Sequence, residues 1–195
     1  SGCRRVILVE KDPVVAGIWK YLQASTYDEI IALPDLEDGQ AINDLSICQE
    51  AKWLMGYWVN KGGAKPAQSA SKWMRDERYR AQFWGPRKRR QIATQLYKIS
   101  EWEIIEGDYT ASPDIEATWF IDPPYQEKGY AYACNEIDYE HLGDWCKSRR
   151  GQVIVCEQEG AQWLPFQELK TLKANHTTGS SNEVIYVKDK QCPTQ

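Results

Sequence analysis

The sequence predicts an α/β protein in which a largely parallel sheet carries a helical, basic insertion. Short apolar runs of strand length fall at residues 5–10, 102–106, 118–122 and 152–156. Residues 139–149 have helical periodicity and lie between the last two runs, the strand–helix–strand order that builds parallel sheets. Residues 35–98 hold no such run and concentrate arginine, tryptophan and small polar residues. The chain therefore divides into a sheet-bearing domain, residues 1–34 and 99–195, and an inserted helical module, residues 35–98.

Residues 5–10 read as a buried strand. Asp12 is suited to cap the next helix, because its short carboxylate reaches first-turn N–H groups and Pro13 needs no donor at the first helical position. That helix, to about residue 24, sets Val14, Ile18, Tyr21 and Leu22 on one face. A shorter helix is expected over 27–33, ended by Pro34, and an acidic loop containing Gly39 over 35–44. Residues 46–60 form a helix rich in Trp53, Leu54, Tyr57 and Trp58, and residues 62–71 a small, polar loop. Residues 71–84 mix arginines with Trp73, Tyr79, Phe83 and Trp84, the wrong blend for a core element. A helix over 86–100 carries its basic run in the first turns and turns Ile92, Leu96 and Ile99 inward. Trp53, Trp58, Trp73 and Trp84 are assigned to the core of the helical module. Residues 169–174 and 183–188 are expected to close the sheet as an antiparallel pair.

A chain of 195 residues forms one substantial core, or a core and a small module. Its 42% hydrophobic and 27% charged content is that of a soluble globular protein, and no apolar run approaches the roughly 20 residues of a membrane span. The expected address is cytoplasmic. Six cysteines (Cys3, Cys48, Cys134, Cys146, Cys156, Cys192) are scattered without a Cys-x-x-Cys pair, and only His141 and His176 add imidazoles. Paired ligand spacing is missing, so no metal site is expected and the thiols are read as reduced. The net charge of −4 argues against indiscriminate polyanion binding, yet residues 72–98 hold nine Lys or Arg against Asp76 and Glu77. That is a local patch, not a bulk property.

Four residues carry most of the chemical information. Asp122-Pro123-Pro124-Tyr125 follow directly on Trp119-Phe120-Ile121. Prolines cannot continue a ladder and fix φ near −65°, so they hold the Asp122 carboxylate and adjacent carbonyls at the strand's carboxyl end. Ligands bind at that end in open α/β sheets. A carboxylate beside a carbonyl accepts both hydrogens of an exocyclic amine, and Tyr125 offers a flat face for a base. A proline-stiffened turn is the plainer reading of Pro-Pro alone; the combination of strand, acid, prolines and aromatic points to a nucleobase amine.

With these residues the sequence resembles the Dam-like adenine-N6 DNA methyltransferases, which use S-adenosylmethionine. The resemblance extends in order over most of the chain. Residues 5–10 (RVILVE) resemble the strand whose final acid, here Glu10, holds the cofactor ribose. Residues 104–109 (IIEGDY) resemble the strand whose terminal acid, here Asp108, contacts the cofactor adenine. Residues 152–157 and 183–188 resemble later strands of the same Rossmann-like methyltransferase sheet. The family opens with a Gly-Gly-Lys-like or Gly-Ser-Lys-like element and a first strand with a glycine turn. Neither is found here, because Gly62-Gly63 comes too late and precedes Ala64. The resemblance thus implies a sheet short of its first strand, with exposed backbone on that strand's neighbours. A rearranged or oligomeric sheet would follow, possible as a homo-oligomer in which another chain fills the gap, or else weak cofactor binding.

The implied activity is methyl transfer to adenine N6 in double-stranded DNA, on a base flipped out of the duplex. Asp122 and the Pro123 carbonyl would stabilise the amine as it attacks, a preorganised-acceptor mechanism with Pro124 and Tyr125 completing the site. The basic segment lies where the family inserts its target-recognition region. Arg75, Arg78, Arg80, Arg87, Lys88, Arg89 and Arg90 are the candidate DNA contacts, set against the plainer reading of a solvated charged face. Cations in a helix's first turn oppose its dipole, which favours a polyanion partner. Two other readings stand beside this one: a DNA-binding remnant without catalysis, or amino methylation of cytosine N4, RNA or a glutamine side chain. The sequence assigns no role to Glu157 and Glu159.

Overall fold

The computed structural model describes residues 5–37, 39–61, 63–127, 129–169 and 182–189. It is mixed α/β and separates into two compact units, residues 1–112 and 113–195. Cys3, Cys192, His176 and all but Leu169 of the strand expected over 169–174 lie outside the described residues.

The first unit holds strand β1 (Ile7–Glu10), helices α1 (Pro13–Ala24), α2 (Tyr27–Ala32), α3 (Gln49–Val59), α4 (Lys72–Arg75), α5 (Glu77–Arg80) and α6 (Pro86–Ala93), and strand β2 (Glu103–Glu106). β1 and β2 form a parallel pair, with Ile7 beside Glu103 and Glu10 beside Glu106. Asp12 caps α1 by accepting from the Val14 N–H at 2.8 Å, as the sequence predicts. Thr26 and Glu29 close a capping box at the start of α2.

The core of this unit crosses the boundary expected at 34/35. Ile18, Ile30 and Leu33 pack in one cluster with Ile42, Leu54, Met55, Met74, Phe83, Trp84 and Ala93. Helices α1 and α2 are too short to bury their apolar faces against a two-stranded pair, so the helical segment completes them. Residues 71–84 correct the sequence reading: two single-turn helices form there, and Met74, Phe83 and Trp84 enter the core. Trp73 departs from its core assignment, being 51% exposed. The helix expected over 86–100 ends at Ala93, where Thr94 turns its hydroxyl back onto the Arg90 carbonyl. A 3-10 turn over Leu96–Lys98 follows.

The second unit holds β3 (Ala117–Ile121), α7 (Tyr139–Ser148), β4 (Gly151–Gln158), β5 (Gln167–Glu168) and β6 (Glu183–Lys188). The sheet order is β3-β4-β6-β5, parallel between β3 and β4 and antiparallel beyond. Alternation along β4 buries Val153, Val155 and Glu157 on one face. Trp119 of that face meets Trp145 of α7 edge-on, ring centroids 5.5 Å apart. The opposite face is open: Phe120 is 67% exposed and Val187 46%.

The described strands form two sheets, β1-β2 and β3-β4-β6-β5. Among the described residues β1 and β2 pair only with each other, and β3 only with β4. Cys48, Cys134, Cys146 and Cys156 form no disulfide among the described residues. No described helix is long and apolar enough to cross a membrane.

Candidate functional site

The turn after β3 is built by subtraction of donors. Pro123 and Pro124 have no N–H, so the ladder with β4 stops at the Ile121–Val155 pair. The chain leaves the sheet with Asp122 level with Cys156. Among the described residues the Asp122 carboxylate has no hydrogen-bond or ion-pair partner. Partial burial raises its pKa above the ordinary aspartate value, and the nearby charges of Glu183 and then Glu157 push it the same way. The Tyr125 phenol is pushed up to about 12, first by burial and next by Asp122.

Several backbone groups around these side chains are tied to the scaffold. The Pro124 carbonyl accepts from the Tyr139 hydroxyl at 2.7 Å. The Tyr125 carbonyl accepts from Gly129 N–H at 2.6 Å. Gln126 N–H donates to both oxygens of Glu157, at 3.3 and 3.2 Å. Gly129 is required here, because a Cβ would stand 2.8 Å from the Pro124 side chain and 2.9 Å from its carbonyl carbon. The Pro123 carbonyl accepts no hydrogen bond from the described residues. The turn thus leaves one carboxylate and one carbonyl open in adjacent residues, the pair an amino group needs.

Glu10 and Asp108 belong to the other unit, at the carboxyl ends of neighbouring parallel strands. The β1–β2 pairing brings them to the same end, and Gly107 N–H donates to the Glu10 carbonyl at 2.9 Å. One Glu10 oxygen accepts from Asp12 N–H at 2.8 Å, and burial raises the carboxyl's pKa. Asp108 is more heavily engaged: it pairs with Lys11 at 3.0 Å and accepts from Thr110 N–H at 3.3 Å, capping a 3-10 turn.

The basic segment splits into two populations. Arg80, Arg87 and Arg90 are exposed. Arg78 is exposed but held by Asp76, with its Nη2 2.6 Å from Oδ2. Arg75 donates to the Ala70 carbonyl at 3.3 Å. Lys88 and Arg89 are buried, which removes them from the accessible basic surface the sequence suggests. Lys88 sits 4.0 Å above the Trp58 ring and donates to Gln91 at 2.7 Å. Its pKa is lowered by burial and by the neighbouring Lys61 and Arg87. Arg89 pairs with Asp35 at 2.6 Å, an acid 54 positions earlier that no local pattern announces. On α4 and α5 the exposed rings of Trp73 and Tyr79 stack edge-on at 5.6 Å, with Lys72 over the first and Arg78 over the second.

Sequence reasoning missed Glu157 and Tyr139 as supports of the turn. An acid inside an apolar strand run was the available signal for Glu157, since such a group survives burial only when its oxygens are satisfied. The chain matches no protein-family model and no curated protein.

Proposed function

We propose that this chain is an adenine-N6 DNA methyltransferase of the Dam-like, Rossmann-like kind, using S-adenosylmethionine as methyl donor. One observation carries the reading. In the turn after β3, Asp122 and the Pro123 carbonyl are the open acceptors, while Pro124, Tyr125 and Gln126 are bonded to the scaffold. A neutral amine with two hydrogens fits that arrangement, and acceptors fixed beforehand stabilise the developing charge on its nitrogen without reorganising. The cofactor supplies an electrophilic methyl group. Glu10 suits its ribose, lying at the carboxyl end of β1 with its carbonyl anchored by the Gly107 N–H. Asp108 suits its adenine less well, because Lys11 and Thr110 already occupy it. Arg80, Arg87 and Arg90 are the best phosphate contacts, with Arg75 and Arg78 adding charge beside the exposed Trp73–Tyr79 pair. Aromatic rings interleaved with cations suit stacking on bases and pairing with phosphate together.

The test is incubation of the chain with duplex DNA and labelled S-adenosylmethionine, followed by nucleoside mass spectrometry. N6-methyladenine is expected. N4-methylcytosine would move the assignment to another amine. DNA binding without transfer would leave the non-catalytic reading, and neither would refute both.

A further inference from the structure

The geometry points to Glu157 and Tyr139 as positioning residues that clamp the Asp122–Tyr125 turn and reserve the Pro123 carbonyl for substrate. Glu157 is fully buried, a costly place for a carboxylate, and its oxygens are filled by donors from three residues. They are the Gln126 N–H, the Gln158 N–H at 2.8 Å and the Trp163 indole N–H at 3.0 Å. Three N–H groups aimed at one buried carboxylate satisfy its acceptors and fix its place. Tyr139 approaches from α7, donating to the Pro124 carbonyl while its ring leans on Trp163 at 5.6 Å. Phe166 backs Trp163 at 5.1 Å.

These contacts form a closed circuit. Glu157 holds the N–H after Tyr125, Tyr139 holds the C=O before it, and Trp163 joins the two holders. The peptides on both sides of Tyr125 are thereby fixed, and so is the direction in which its ring leaves the backbone. Occupying the Pro124 carbonyl also matters. Two adjacent carbonyls open to solvent would offer an amine two alternative partners; blocking the second leaves the Pro123 carbonyl, next to Asp122. Neither Glu157 nor Tyr139 has a free oxygen pointing at substrate in this scheme, so both act through the turn.

The effect on turnover rests on the methyl-transfer reading; the clamp itself does not. Two variants test it in the full chain, Glu157→Gln and Tyr139→Phe, each removing polar contacts while keeping shape. Turnover number is expected to fall about tenfold or more in both, since small misplacements of reacting groups carry losses of up to about a hundredfold. KM for DNA is expected to stay within about twofold, the split a global loss of structure would not give. Amide exchange supplies an arm that needs no activity. In Glu157→Gln one oxygen becomes an NH₂ group, so at least one of the Gln126, Gln158 and Trp163 N–H groups loses its acceptor and exchanges on the order of tenfold faster. Unchanged exchange at all three groups, or unchanged turnover in both variants of an active protein, overturns the inference. An inactive wild-type chain refutes methyl transfer alone, and the exchange arm then decides the clamp.

Discussion

The run Arg87-Lys88-Arg89-Arg90 looks uniform in sequence, yet its members should behave oppositely when neutralised in pairs. Arg87 and Arg90 are exposed, whereas Lys88 and Arg89 are 8% and 9% exposed and engaged with Trp58, Gln91 and Asp35. If Arg87 and Arg90 each neutralise one phosphate, the double variant Arg87→Gln/Arg90→Gln lowers the slope of log K against log salt by about 1.8. Between about 50 and about 200 mM salt the wild-type advantage then shrinks about tenfold. Melting should barely change, as expected for exposed positions. The pair Lys88→Met/Arg89→Met should do the reverse. The salt slope is kept, and stability falls by about 1–3 kcal/mol as a cation–π contact and a partly buried ion pair are lost. Fluorescence anisotropy across a salt series, with urea melts of the same samples, reads both quantities. Equal slope changes from the two pairs would refute the division into contact and structural cations. An unchanged slope in both would remove α6 from any DNA surface.

Asp122→Ala is expected to reduce methyl transfer at least a hundredfold, about the effect of losing one preorganised group, with DNA affinity nearly unchanged; parallel loss of both would make Asp122 structural. The acid limb of the pH–rate profile should lie above the ordinary aspartate range. Burial and the charges of Glu183 and Glu157 raise the Asp122 pKa, so protonation removes the acceptor at a higher pH than for a free side chain; a limb at or below the ordinary value refutes this. Gly151→Ala should destabilise the chain by about 2–5 kcal/mol, combining about 1–2 for its positive φ of 95° with about 1–3 for a Cβ driven into the Ala117 carbonyl. Urea denaturation measures it, and a cost under about 1 kcal/mol would show that β3 and β4 separate there readily.

Much of the local structure was legible because it is encoded within a few residues. The Asp12–Pro13 start of α1, the β1, β2, β3 and β4 runs and α7 depend on caps, periodicity and apolar length, and they form close to where the sequence puts them. The proline turn after β3 was legible for the same reason: two prolines after a strand remove donors whatever surrounds them. What escaped depends on partners distant in sequence. Arg89 is buried because Asp35 meets it, and Lys88 because Trp58 lies beneath it. Trp73 is exposed because its neighbour Met74 takes the inward position on a single helical turn. The sequence assigns Glu157 no role because its three donors come from a turn, its own strand and a loop. A periodicity argument sees none of these.

The distribution of charge constrains how any nucleic-acid chemistry must be divided. Residues 113–195 hold 13 acidic and 8 basic residues, and Asp122 itself feels two further carboxylates. A phosphate backbone gains nothing from that unit by charge alone, so the turn after β3 cannot supply affinity. Residues 72–98 supply the opposite sign, with nine basic residues against two acidic ones. On the proposed reading, nucleic-acid affinity would then come from residues 72–98 and the chemistry from the turn after β3. On the same reading, the acidic surroundings would repel the phosphodiester while leaving a neutral base free to enter. A base separated from its backbone is what an everted nucleotide presents.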